Sequence, residues 1–156
     1  MNEEKPEMEV LTWEDYGKAS VQLAEEVAAS DFKPDIILAI ARGGLFLAGS
    51  IGYELGVKNI SVINVELYTG VHKKLEVPVM LPPFLDKANI KDMNVLVCDD
   101  IADSGETLES VNQFCDGVVA SSQTAVLYEK PSSIVKPDFV WKKATKWIDF
   151  PWSSAY

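Results

Sequence analysis

One segment constrains this chain more than any other. Four apolar residues, Val95-Leu-Val-Cys98, run straight into Asp99-Asp-Ile-Ala-Asp-Ser-Gly-Glu-Thr107. A short apolar run rich in β-branched residues and bounded by turn residues predicts a strand buried on both faces, the pattern of a parallel sheet. A helix is expected next, from about Ser104 to Phe114. Ligands in parallel α/β sheets bind beyond the carboxyl ends of the strands. The acids, hydroxyls and glycine of 99–107 therefore fall where chemistry is expected.

The remaining chain fits the same plan. Thr12-Trp-Glu-Asp15 has the form of a capping box, and apolar residues at helical spacing follow it, so 13–30 should be an amphipathic helix. Ile36 to Ala41 reads as a second fully buried strand, Arg42-Gly-Gly44 as a turn, and Leu45 to Leu55 as a helix closed by Gly56. Ile60 to Leu67, Thr124 to Tyr128 and Asp138 to Trp141 are further strands. Residues 68–91, with Gly70, Pro78, Pro82 and Pro83, are expected to be an irregular, flexible loop serving as a lid or binding loop. The order predicts an α/β fold, a doubly wound and mainly parallel sheet flanked by helices. At 156 residues it should form a single domain, 1–156.

Charge and composition exclude several classes. The formal net charge is −10, which disfavours a nucleic-acid or anionic-membrane binder, because such partners need a basic footprint. The acidity is uneven. Residues 1–35 hold ten acids and three lysines, whereas Lys130 to Lys146 holds five lysines and only Asp138 against them. An anionic small ligand is compatible with that distribution. Cys98 and Cys115 are the only cysteines, the first residues are acidic where a signal peptide is basic then apolar, and no apolar run is uninterrupted enough for a membrane span. A cytoplasmic protein is expected.

Candidates for chemistry fall at three places. In 99–107, Gly105 permits a tight bend, helix-start amides attract an anion, and Ser104 and Thr107 add hydroxyl donors, which suits a monophosphate. Asp99 and Asp100 would repel phosphate and fit ribose hydroxyls or a metal better. Simple helix capping is the structural alternative. The spacing fits neither an EF-hand loop nor a P-loop. Arg42 is the only arginine, at a strand end beside two glycines, where either bidentate phosphate recognition or a structural ion pair would explain it. Lys130 follows a strand and precedes Pro131, at a strand's carboxyl edge, where a surface lysine or a ligand contact would explain it. His72 has no implied nucleophilic partner, and no His/Cys metal cluster exists, although a hard cation held by carboxylates and substrate phosphate is compatible.

These residues resemble a known family. Val95 to Leu108 resembles the phosphoribosyl-pyrophosphate motif of type I phosphoribosyltransferases, in which four apolar residues precede two acids and a Thr/Ser-Gly-x-Thr loop. Ala41-Arg-Gly-Gly44 is similar to the family's pyrophosphate loop, and 68–91 lies where the family has a mobile hood. Asp103 occupies the position of the Asp of 6-oxopurine enzymes. Tyr128-Glu-Lys-Pro131 resembles the segment whose lysine reads the purine 6-oxo group. Trp147-Ile-Asp-Phe-Pro-Trp152 is similar to the C-terminal hood of short bacterial xanthine-guanine enzymes, which here would span about 130–156. Cys98 and Ser104 depart from the commoner aliphatic residue and Thr.

The resemblance implies transfer of a 5-phosphoribosyl group from phosphoribosyl pyrophosphate to a 6-oxopurine, with Mg2+ and as a homodimer or homotetramer. It implies catalytic roles for Asp103, at the purine N7 proton, and for Arg42, which with the amides of Gly43 and Gly44 would meet the departing pyrophosphate. Ser104, Gly105, Glu106 and Thr107 would bind the 5′-phosphate. Asp99 and Asp100 would bind ribose hydroxyls directly or through metal. Lys130, Trp147 and the Ile148 carbonyl would bind the base, and Asp149 would face base or metal. The alternatives are a phosphoribosyltransferase for another base and a regulatory nucleotide binder on the same fold.

Overall fold

The computed structural model describes residues 7–69, 73–81 and 87–153. The chain runs β1 (Met8–Val10), α1 (Trp13–Ala29), β2 (Ile36–Ile40), α2 (Gly44–Leu55), β3 (Ile60–Thr69), β4 (Lys73–Leu81), α3 (Lys87–Ile90), β5 (Asn94–Ala102), α4 (Glu106–Cys115), β6 (Ser121–Glu129), β7 (Phe139–Lys143) and β8 (Trp147–Asp149). The main sheet has the order β4-β3-β2-β5-β6-β7, and a two-stranded sheet pairs β1 with β8. Strands β2, β3, β5, β6 and β7 are mutually parallel, and β4 lies antiparallel on the edge.

The fully apolar strands explain the two-sided winding. All five residues of β2 are buried. Ile37 and Ala39, with Leu96 and Leu127, pack in one core against Leu23 of α1 and Leu47 and Ile51 of α2. Ile36, Leu38 and Ile40, with Val95 and Val97, pack in a second core against Leu108 and Val111 of α4. Successive strand residues point to opposite faces, so a continuous apolar run requires helices on both. Helix α1 begins as expected, with the Thr12 hydroxyl accepting from Asp15 N–H at 3.1 Å. Gly56 closes α2 in the left-handed region, φ 68°.

Three expectations need correction. Asp99 and Asp100 do not lie in a loop: β5 continues to Ala102, because Asp99, Ile101 and Ala102 pair with Val126, Tyr128 and Glu129 of β6. Helix α4 starts at Glu106 rather than Ser104, after Gly105 in the left-handed region, φ 82°. The 68–91 segment is not irregular throughout. Residues 73–81 form β4, where Leu75, Val77, Val79 and Leu81 alternate in the sequence, and Pro78 is tolerated on an edge strand where the pairing shifts register. Residues 70–72 and 82–86 of that segment, His72 among them, lie outside the described residues. The structure adds a strand at Trp147–Asp149, made so by parallel pairing with Met8–Val10.

The topology also sets the place for a ligand. From β2 the chain moves outward to β3 and β4, then returns to β5 on the other side of β2. Neighbouring parallel strands whose connections leave in opposite directions open a crevice at their carboxyl ends. Arg42-Gly43-Gly44 after β2 and Asp99–Ala102 at the end of β5 flank that crevice.

Candidate active site

The first wall of the crevice is a close backbone approach. A Cβ on Gly43 would run into the Asp100 carboxylate, and one on Gly44 into the Cys98 carbonyl oxygen. Only glycine lets the turn after β2 pack this tightly on the end of β5. The Ala41–Arg42 peptide is cis. Arg42 is exposed and has no carboxylate partner among the described residues, so the structural ion pair is not what holds it there. It lines a cavity of about 650 Å³ with Gly43, Phe46, Asp100 and Trp152.

Asp100 is shared with a second cavity of about 540 Å³, which Asp99 to Gly105, Thr107, Leu108 and Ser132 line. The two carboxylates lie at its inner end, with Asp100 N–H donating to Asp99 Oδ1 at 2.8 Å. Burial, and then the Asp100 charge, push Asp99 well above the usual carboxylate range. Burial raises Asp100 as well. Such a pair gains from hydroxyl donors or a cation brought by a ligand. Asp149 lies apart on β8, and among the described residues no three acidic, His or Cys side chains gather as a metal cage.

The outer end of this cavity is a buttressed loop. A Cβ on Gly105 would stand 2.6 Å from Ser133 Oγ and 2.9 Å from the backbone nitrogens of Ile134 and Val135. Ile134 N–H donates to the Ser104 carbonyl at 2.9 Å, and Ser132 Oγ donates to the Asp103 carbonyl at 2.9 Å. The segment after β6 thus presses the 103–107 loop into shape from behind. Ser104 Oγ accepts from Glu106 N–H and donates to the Glu106 carboxylate, each at 3.3 Å. Ser104 thus receives the first amide of α4, and Glu106 is not a wall of the cavity, whereas Ser104, Gly105 and Thr107 are.

Lys130, Asp103 and Trp147 come together at the end of β6. Lys130 N–H donates to the Ala102 carbonyl at 2.9 Å, which places its side chain beside the loop. Its ammonium stands 3.7 Å from Asp103 Oδ1, with Lys130 largely covered and Asp103 open. The same ammonium lies 5.7 Å from the centre of the Trp147 ring. Trp147 is 61% exposed, an unusual state for the largest apolar side chain and suited to a flat ligand.

Pairing with β1 fixes the polarity of β8. Leu11 N–H donates to the Asp149 carbonyl at 2.9 Å, with Val10 opposite Asp149 and Glu9 opposite Ile148. In a parallel ladder alternate residues bond to the neighbour. Trp147 and Asp149 therefore face β1, and the Ile148 carbonyl points away from it. The Ile148 side chain is buried in the core. Lys142–Glu9 at 2.6 Å and Lys146–Glu7 at 2.9 Å reinforce this pairing. Those two lysines answer N-terminal acids, whereas Arg42 lines one cavity and Lys130 stands against Asp103 at the wall of the other.

Sequence reasoning missed two participants. Ser132 carried no signal beyond its place two residues after Lys130. Phe46 was visible only as an aromatic residue in the first turn of a helix, yet its ring stacks on Trp152 at 4.5 Å and lines the Arg42 cavity.

Comparison with known proteins identifies the family. A family model described as a phosphoribosyl transferase domain matches residues 8–156. A xanthine-guanine phosphoribosyltransferase of Idiomarina loihiensis is 29% identical over 146 residues, covering 91% of this chain and 84% of that protein. The crystal structure of a purine phosphoribosyltransferase from Pyrococcus horikoshii superposes with a TM-score of 0.83 at 35% identity, covering 94% of each chain. A xanthine-guanine-hypoxanthine phosphoribosyltransferase of Helicobacter pylori superposes with a TM-score of 0.74 at 25% identity, covering 95% of this chain and 93% of the other.

Proposed function

The chain belongs to the phosphoribosyl transferase domain family, and from that premise we propose that it transfers the 5-phosphoribosyl group from phosphoribosyl pyrophosphate to a 6-oxopurine, releasing pyrophosphate and a purine nucleoside monophosphate. One observation carries the choice of base: the Lys130 ammonium sits between Asp103 Oδ1, at 3.7 Å, and the exposed Trp147 ring, at 5.7 Å. A donor for a 6-oxo group, an acceptor for a ring N–H and a flat apolar face meet there. The similar proteins named above are purine enzymes, which supports the same reading.

The residues divide the reaction among them. The loop Asp103–Thr107 receives the 5′-phosphate through its amides and the hydroxyls of Ser104 and Thr107. Asp99 and Asp100 accept from the ribose hydroxyls. As carbon–oxygen cleavage builds charge on pyrophosphate, Arg42 and the amides of Gly43 and Gly44 stabilise it as donors already in place. Asp103 takes the N7 proton of the base.

Two carboxylates with no nitrogen or sulfur donors fit a hard cation completed by substrate oxygens. Asp99 and Asp100 would hold Mg2+ in that manner, and Asp149 stays with the base-binding strand. When bound with the donor, the ion supplies neutralising charge to the pyrophosphate and ribose oxygens. Both cysteines are free and buried, which suits the reducing cytoplasm. Tyr53 at 93% exposure, with Ile60 and Val62 also open, supports assembly into a homodimer or homotetramer.

The test is to incubate the protein with phosphoribosyl pyrophosphate, Mg2+ and each of hypoxanthine, guanine, xanthine, adenine, uracil and orotate, and to resolve the products by chromatography. Monophosphates of the 6-oxopurines are expected. Product from uracil or orotate alone, or none from any base, overturns the reading.

A further inference from the structure

The base end and the pyrophosphate end of the site lie on different parts of the fold, and one stack of rings joins them. Directly after β8, Phe150-Pro151-Trp152-Ser153 forms a tight turn closed by Ser153 N–H donating to the Phe150 carbonyl at 2.9 Å. Proline at the second turn position fixes φ for this bend. The turn lays the Phe150 ring against Trp152, with centres 5.0 Å apart and planes 12° from parallel. On its other side Trp152 stacks on Phe46, at 4.5 Å and 9°. Tyr16 meets the Trp152 ring edge-on at 5.3 Å, so the middle ring of the stack is held laterally by α1.

Each end of that stack is anchored near a reacting group. Phe150 is buried and follows the strand that carries Trp147 and Ile148. Phe46 lies in the first turn of α2, two residues after Gly44, and the end of β5 packs closely on Gly43 and Gly44. Trp152 itself lines the cavity that contains Arg42, Gly43 and Asp100. We propose that Trp152 is a positioning residue that fixes the separation between the base platform and the pyrophosphate loop.

This proposal rests on the phosphoribosyltransferase reading, because only a reaction with acceptor and leaving group on opposite sides of one carbon needs that separation held. A displacement of about 1 Å between reacting groups can cost on the order of 10²-fold in rate. Binding of either end alone does not require the separation. Trp152 should therefore matter for turnover far more than for binding of single ligands.

The experiment compares wild type, Trp152→Ala, Trp152→Phe and Phe46→Leu. It measures kcat with hypoxanthine, and calorimetric affinity for inorganic pyrophosphate and for inosine monophosphate separately. Trp152→Ala should lower kcat about 10- to 100-fold with both affinities little changed, and Trp152→Phe, which keeps a stacking ring, should recover most of it. If Trp152→Ala does not fold, Phe46→Leu carries the same comparison by removing the ring on the other side. Unchanged kcat, or loss of pyrophosphate affinity as large as the loss of kcat, overturns the proposal. A wild type inactive with every 6-oxopurine overturns the functional reading and this one with it, whereas an active wild type with unaffected variants overturns this one alone.

Discussion

Asp103 and Lys130 stand 3.7 Å apart across the mouth of the site, the carboxylate open to solvent and the ammonium mostly covered. The pair presents an acceptor and a donor side by side, matching the N7 proton and 6-oxo group of a purine. Asp103→Asn keeps the shape and removes the proton acceptor. Its kcat should fall roughly 10²- to 10⁴-fold, the range for loss of a general base, with affinity for the nucleotide product changed much less. Steady-state rates beside equilibrium binding check this, and a variant with wild-type kcat would remove Asp103 from the chemistry.

Arg42 is exposed, beside Gly43 and Asp100, and has no ion pair among the described residues. Lysine there preserves charge and loses the planar fork that grips a pyrophosphate with two parallel bonds. Arg42→Lys should reduce kcat/KM for phosphoribosyl pyrophosphate by about tenfold or more, corresponding to at least ~1.4 kcal/mol. The melting temperature should stay within a degree or so, since no structural contact is lost. A large drop in melting temperature with normal kinetics would assign Arg42 a structural role.

Asp99 is held above the usual carboxylate range, first by burial and then by the charge of Asp100. Between its ordinary and its raised value the folded chain carries more protons than the unfolded one. Stability therefore falls as pH rises through that window, and the effect vanishes below the ordinary value, where both states are protonated. Asp99→Asn keeps an oxygen for the Asp100 N–H and removes the charge. It should melt higher than wild type at neutral pH, by roughly 2–4 °C for each kcal/mol recovered, with the gain shrinking towards acid. Activity should fall at the same time, the usual exchange at a site built for ligands. Melting curves across pH decide it; a variant that melts lower at neutral pH contradicts the sign.

Gly105 combines φ 82° with contacts that leave no room for a Cβ. A non-glycine residue held in the left-handed region costs about 1–3 kcal/mol, and the segment from Ser133 to Val135 would also have to retreat. Gly105→Ala should lower the melting temperature and raise KM for phosphoribosyl pyrophosphate together. Thermal unfolding and initial rates check both, and an unchanged midpoint would mean that the loop is not buttressed as described.

The parts of this site that could be read from sequence are those whose signal is local. Val95 to Thr107 announces a buried strand and a ligand loop because apolar run, acids, hydroxyls and glycine are contiguous. Arg42 stands out as the only arginine beside two glycines. The extension of β5 through Asp99 and Asp100 was not legible, since two acids read as a loop until β6 supplies their ladder partners. The same holds for Met8–Val10 and Trp147–Asp149, three-residue strands that exist only through each other. Pro78 obscured β4, where edge position and shifted register make proline harmless. Contacts such as Phe46 on Trp152 depend on tertiary placement and have no sequence period to reveal them.

The most direct measurement is the ratio of kcat/KM for hypoxanthine to that for adenine, taken from pyrophosphate release by wild type and by Lys130→Ala. On the proposed reading a 6-oxo group accepts from the Lys130 ammonium, whereas the 6-amino group of adenine would meet it as a second donor. Setting that largely covered donor against another donor costs about 1–3 kcal/mol, so the wild type should prefer hypoxanthine roughly tenfold or more. Lys130→Ala should lose activity with hypoxanthine and bring the ratio towards unity. Efficient use of adenine by the wild type, or an undiminished ratio in the variant, would contradict the assignment of Lys130 and the 6-oxopurine reading with it.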